Sequence, residues 1–188
     1  MKIENLTVRF GDKLIFNDFS FDFGDNGVYL IEGVSGKGKT TLFNAIAGLL
    51  KFESGNIDLE GKRISYMFQE DRLFPTFTVL ENVAAVTGGT DSELKRCEEI
   101  LCRLDLQDEL NSYPSQLSGG MQRRVALARA LAYDADILLL DEAFKGLDEK
   151  TCQNAIDLVL EYAQNKLVIL AAHMIDKKMF GNCTVIVI

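Results

Sequence analysis

Residues 27–43, "GVYLIEGVSGKGKTTLF", constrain the fold of this chain more than any other segment. The apolar and aromatic run Val28–Ile31 reads as a strand buried on both faces. A glycine-rich loop follows it, and an apolar helix is expected from about Lys39 to Leu50. Between strand and helix, Gly33, Gly38, Lys39 and Thr40 satisfy the spacing G-x-x-x-x-G-K-[ST]. Glycines let successive backbone N–H groups curl toward one point and form a nest for phosphate oxygens. The helix N-terminus adds partial positive charge at the same place. In such a loop Lys39 would neutralise the β- and γ-phosphates, and the Thr40 hydroxyl would ligate Mg²⁺. The expected ligand is a nucleoside triphosphate, which leaves kinases, GTPases and motors open.

A phosphate loop of this kind needs a carboxylate near the metal from a neighbouring strand. "ILLLDE" provides Asp141 at the end of an apolar strand, followed by Glu142. Asp141 would bind Mg²⁺ through water, and Glu142 could orient or deprotonate an attacking water. A second acid there points to hydrolysis rather than transfer to a bound acceptor.

The remaining chain fits a sheet enzyme. "LTVRF" and "FSFDF" alternate with period two, so Phe19, Phe21 and Phe23 share one face of an antiparallel strand. "ISYMFQ", "DILLLDE", "KLVILAAH" and "CTVIVI" read as further strands, with a helix from about Glu149 to Ala163. From residue 71 to 117 the texture is helical, with Thr78/Glu81 and Thr90/Glu93 fitting capping boxes. The expected fold class is α/β, a mainly parallel core sheet with an N-terminal antiparallel β subdomain and a short helical insertion at about 71–117. A chain of 188 residues is expected to form one domain, residues 1–188, that buries roughly 70% of its unfolded surface.

A net charge of −8 argues against nucleic acid, whose backbone rewards a basic face. No apolar run approaches the roughly 20 residues that span a bilayer. The start "MKIENLTVRF" lacks the apolar core of a signal peptide. A soluble, cytoplasmic chain is expected, with any membrane role exerted through a partner. Cys97, Cys102, Cys152 and Cys183 form no Cys-x-x-Cys pair and read as reduced, scattered thiols.

"YPSQLSGGMQRRVALARAL", residues 113–131, resembles the signature segment of the ATP-binding cassette (ABC) family, whose usual core is LSGGQ. It lies upstream of the Asp141–Glu142 strand, as in that family. The resemblance extends from Phe10 to the last strand and implies a P-loop NTPase fold and ATP hydrolysis. It implies that Phe10 stacks on adenine and that Gly33, Ser35, Gly36, Lys37, Gly38, Lys39, Thr40 and Thr41 hold the phosphates. Gln69 in "MFQED" matches the glutamine that joins the nucleotide and its Mg²⁺ to a transmembrane partner. Asp148 in "KGLD" matches a loop facing the opposite subunit. His173, the chain's only histidine, matches the switch residue at the γ-phosphate, so Lys39, Glu142 and His173 form the implied catalytic set.

Ser118 can cap the helix behind the signature, and Gly119 and Gly120 leave N–H groups open to an anion. The following "QRRVALARAL" reads as an amphipathic helix whose arginines could reach phosphate or acidic neighbours. In the family this second nest serves the partner's ATP, so the resemblance implies an ATP-dependent head-to-tail homodimer working with transmembrane permease subunits. "LSGGM", with Met121 for the usual glutamine, and "LFPTFTVLENV" resemble nitrate, sulfonate and taurine importer cassettes. That implies a site of action on the inner face of the cell membrane, reached through the permease. Lys37 adds a charge that could strengthen phosphate binding or contact a partner, and Ala143 stands where proline is usual. A soluble cassette without a transporter and a small-molecule kinase are the alternatives; the second leaves "LSGGM" unexplained.

Overall fold

A computed structural model of the chain describes residues 1–172 and 177–188. Two sheets share the molecule. The smaller is antiparallel, in the order β2-β1-β4, from β1 (Lys2–Phe10), β2 (Lys13–Asp22) and β4 (Ser54–Asp58). The larger is parallel throughout, in the order β5-β6-β7-β3-β8. Its strands are β3 (Gly27–Glu32), β5 (Ile64–Met67), β6 (Ile137–Asp141), β7 (Leu167–Ala171) and β8 (Cys183–Val187).

The all-apolar runs of β6 and β7 have a simple cause. Successive side chains point to opposite faces, and here both faces are covered. Leu138, Leu140, Val168 and Leu170 enter a core shared with the helices α2 (Val79–Ala84), α3 (Asp91–Arg103), α4 (Gly119–Ala132) and α5 (Glu149–Ala163). Ile137, Leu139, Leu167 and Ile169 enter a second core with the antiparallel sheet and α1 (Lys39–Ile46). The larger sheet is therefore the middle layer of the molecule.

Both expected capping boxes are present. Thr78 caps α2 with Glu81 returning the bond, and Thr90 does the same for α3 with Glu93. Three details differ from the sequence reading. Helix α1 ends at Ile46 rather than near Leu50, because Gly48 turns left-handed (φ 70°) and Leu49 and Leu50 fold back onto the Asn44 carbonyl. Strand β4 went unforeseen. It is an edge strand, mostly exposed, with no apolar alternation to reveal it. Helix α4 is not one-sided: Val125 to Ala128 and Ala130 to Ala132 are all buried.

Candidate functional site

Parallel strands send all their carboxyl ends to one edge, where loops meet. At that edge β3 leads into the glycine-rich loop, β6 ends at Asp141, and β5 runs toward Gln69. Asp141 stands level with Ala171 of β7, and Ala171 stands level with Ile31 of β3 on its other side. Strand order alone therefore brings the loop, the acids and the glutamine together.

The loop demands glycine at two positions for different reasons. At Gly36 the backbone is left-handed (φ 79°) with open space around it. At Gly38, φ is 110° and an added Cβ would lie 2.5 Å from Ile15 Cγ2 and 3.1 Å from Phe16 Cζ. Strand β2 thus seats the loop, and the same hairpin carries Phe10 at its tip, half exposed. Lys39 opens α1 and is buried. Its Nζ donates to the carbonyls of Gly33 (2.6 Å) and Val34 (3.3 Å), which fixes the ammonium within the loop.

The Thr40 hydroxyl donates to Asp141 Oδ2 at 2.6 Å. Burial pushes the Asp141 carboxyl above its ordinary range; Thr40 opposes this, and neighbouring Glu142 adds to it. Two hard oxygens side by side, one anionic, suit Mg²⁺. Thr40 and Asp141 would hold the ion, which would shield phosphate charge.

Glu142 departs from β6 with φ 54°, a left-handed conformation that costs a non-glycine residue about 1–2 kcal/mol. Its backbone N–H donates to the Ala171 carbonyl at 2.8 Å. Its Oε2 accepts from Lys145 Nζ (2.9 Å) and from Gln69 Nε2 (3.4 Å). Gln69 and Glu142, distant in sequence, thus meet as a pair.

Ser118 caps α4, its hydroxyl accepting from the Met121 N–H at 3.3 Å. Gly119 has open space around it, and an added Cβ on Gly120 would meet the Gly146 carbonyl at 3.3 Å. The signature therefore packs on the loop before α5. Asp148 caps α5 through the Thr151 N–H (3.0 Å) and hydroxyl (2.6 Å), and these bonds hold its carboxyl below the usual range. His173 lies outside the described residues.

Of the α4 arginines, Arg123 reaches an acidic neighbour, Asp71 Oδ1 at 2.7 Å, and their other hydrogen bonds go to main-chain carbonyls. Arg123 and Arg129 reach carbonyls of the 68–72 loop, and Arg124 reaches those of Leu104 and Asp105. Sequence reasoning missed Arg123 and Lys145 as neighbours of the site. For Lys145 the spacing i, i+3 from Glu142 was the available signal.

The family model described as ABC transporter matches residues 16–145, which hold the loop, the glutamine, the signature and both acids. The chain belongs to the ABC transporter family. As a cassette of that family it is similar to several import ATP-binding proteins. A probable sulfate/thiosulfate import ATP-binding protein of Chlorella vulgaris is 43% identical over 162 residues, 79% of this chain and 69% of the relative. The aliphatic sulfonates import ATP-binding protein of Bacillus subtilis is 38% identical over 80% of this chain and 63% of its own length. The taurine import ATP-binding protein of Rhizobium johnstonii is 37% identical over 89% of this chain and 69% of its own. The cassette spans less than two thirds of some relatives, 57% of a methionine import ATP-binding protein of Lactobacillus johnsonii among them. A solved dimeric ATP-binding cassette in a post-hydrolysis state, bound to ADP and Pi, superposes with a TM-score of 0.80 at 29% identity, over 95% of this chain and 89% of that one.

Proposed function

We propose that this cassette is the ATP-hydrolysing subunit of a membrane importer, acting as an ATP-dependent head-to-tail homodimer beneath transmembrane permease subunits. The observation that carries the reading is the convergence of Lys39, Thr40, Asp141, Glu142 and Gln69 at one sheet edge. Phosphates of ATP would sit in the loop against Lys39 and the α1 N-terminus. Glu142 would take a proton from water as its oxygen attacks the γ-phosphorus, giving ADP and inorganic phosphate. Phe10 would stack on adenine, Asp148 would face the partner subunit, and His173 would contact the γ-phosphate.

The N–H groups behind Ser118 would meet the ATP held by a second copy, and that exchange is isologous. Support for a dimer comes from the similar dimeric cassettes, and support for import comes from the relatives' names. Among the described residues no helix is long and apolar enough to cross a membrane, so attachment to the cytoplasmic face would run through the permease. Half-exposed Phe74 and Phe77, 5.2 Å apart beside the Gln69 loop, offer an apolar contact for it.

Glu142→Gln tests the chemistry. Phosphate release is expected to fall at least about 100-fold, the usual worth of a general base, while ATP still dimerises the protein in light scattering. Undiminished release would remove Glu142 from its role. An ATP-saturated variant that stayed monomeric, even beside its permease, would remove the shared-nucleotide dimer.

A further inference from the structure

Arg123 lies in the second turn of α4 and is almost fully buried, 5% exposed. One terminal nitrogen of its guanidinium, NH1, donates to the carbonyls of Phe68 (3.2 Å) and Gln69 (2.8 Å) and to Asp71 Oδ1 (2.7 Å). The other, NH2, donates to the carbonyls of Asp141 (2.7 Å) and Glu142 (2.8 Å). The two ends of one rigid plane therefore grip two different chain segments. One carries the glutamine and the other carries both acids. The left-handed turn at Glu142 accompanies a main-chain carbonyl within reach of this guanidinium. Among the described residues Nε has no hydrogen-bond partner, so the direct polar work of the side chain falls on those two grips.

We propose that Arg123 is a positioning residue for ATP hydrolysis, which fixes the Gln69 loop and the Glu142 carboxylate relative to one another. The proposal rests on the role of Glu142 given above. Arg123 touches neither ATP nor water. It acts because Gln69 Nε2 and Glu142 Oε2 stand 3.4 Å apart, and a shift of either segment by about 1 Å is enough to misplace a catalytic group. A force on the Gln69 loop would reach Glu142 through this guanidinium without passing through the nucleotide. Lysine cannot replace it, because a single ammonium lacks the planar fork needed to serve both segments.

Steady-state kinetics of the full chain test this with Arg123→Lys, Arg123→Gln, Gln69→Ala and the Gln69→Ala/Arg123→Lys double variant. Arg123→Lys is expected to lower kcat about tenfold or more, with KM for ATP within about twofold, because the phosphate loop is untouched. In the Gln69→Ala background the same change is expected to cost less than about threefold, since part of what Arg123 positions is gone. Equal losses in both backgrounds, or an unchanged kcat, would overturn the proposal. If Arg123→Lys does not fold, Arg123→Gln, which can serve one of the two segments, carries the same comparison. Glu142→Gln in the same assay reports on the underlying reading separately. Its full activity would condemn the base assignment, whereas an inert Glu142→Gln beside additive Arg123 losses would condemn only the positioning role.

Discussion

Asp141 meets two opposed demands. Folding buries its carboxyl under the sheet edge and pushes its protonation upward, while the metal role proposed for it needs it charged. A carboxyl whose folded value lies above its unfolded one costs stability once pH exceeds the unfolded range, and costs nothing below it. At neutral pH the charged side chain therefore weakens the nucleotide-free fold. Asp141→Asn keeps an oxygen for the Thr40 hydroxyl and removes the charge. Its melting temperature without nucleotide is expected to rise, and its hydrolysis in the presence of Mg²⁺ to disappear. A lower melting temperature would mean that Arg123 and Lys39 more than offset the burial. Residues of this kind show where local rules bend at a working site. Glu142 adds a second instance, held left-handed by the Ala171 carbonyl, Arg123 and the side chains that share Oε2.

At the scale of elements, helix caps separate stability from function. Thr90 caps α3 with a full capping box on the surface, away from the sheet edge. Thr90→Ala is expected to cost about 1 kcal/mol in denaturant unfolding and to leave hydrolysis unchanged. Ser118 caps α4 with a longer bond, 3.3 Å, and no reciprocal glutamate. Ser118→Ala is expected to cost less than Thr90→Ala in stability yet to lower hydrolysis, because its helix N-terminus meets a partner's phosphates in the proposed dimer. The reverse ranking in either assay would make the Ser118 turn a plain helix start. These elements were also the legible ones. Capping boxes, apolar strands and the glycine loop each carry their cause within a few residues. Strand β4 was illegible because "SGNID" is polar and takes its place only by pairing with β1. The end of α1 was misjudged because Leu49 and Leu50 continue the apolar run past Gly48, whose turn stops the helix. The place of Arg123 was hidden because four of its five acceptors are backbone carbonyls, which no residue type announces.

For the molecule as a whole, the decisive question is whether one chain completes a site. Lys39 and Ser118 belong to different ends of the architecture, the first entering α1 from β3 and the second capping α4 above the loop before α5. If each ATP lies between the loop of one copy and the signature of the other, two inactive variants can rescue each other. Lys39→Ala removes the loop ammonium, and Gly120→Asp puts a negative side chain against the Gly146 carbonyl, where an added Cβ already lies at 3.3 Å. Each variant alone is expected to be inert. In an equimolar mixture about half of the dimers pair one chain of each kind, and each mixed dimer has one site with intact halves. Hydrolysis per chain is then expected to recover to about a quarter of the unmodified rate, growing with total protein concentration as dimers form. No recovery at saturating ATP would leave the exchanged-site dimer without support. Recovery in either variant alone would mean that a single chain suffices, and the second phosphate nest would need another purpose.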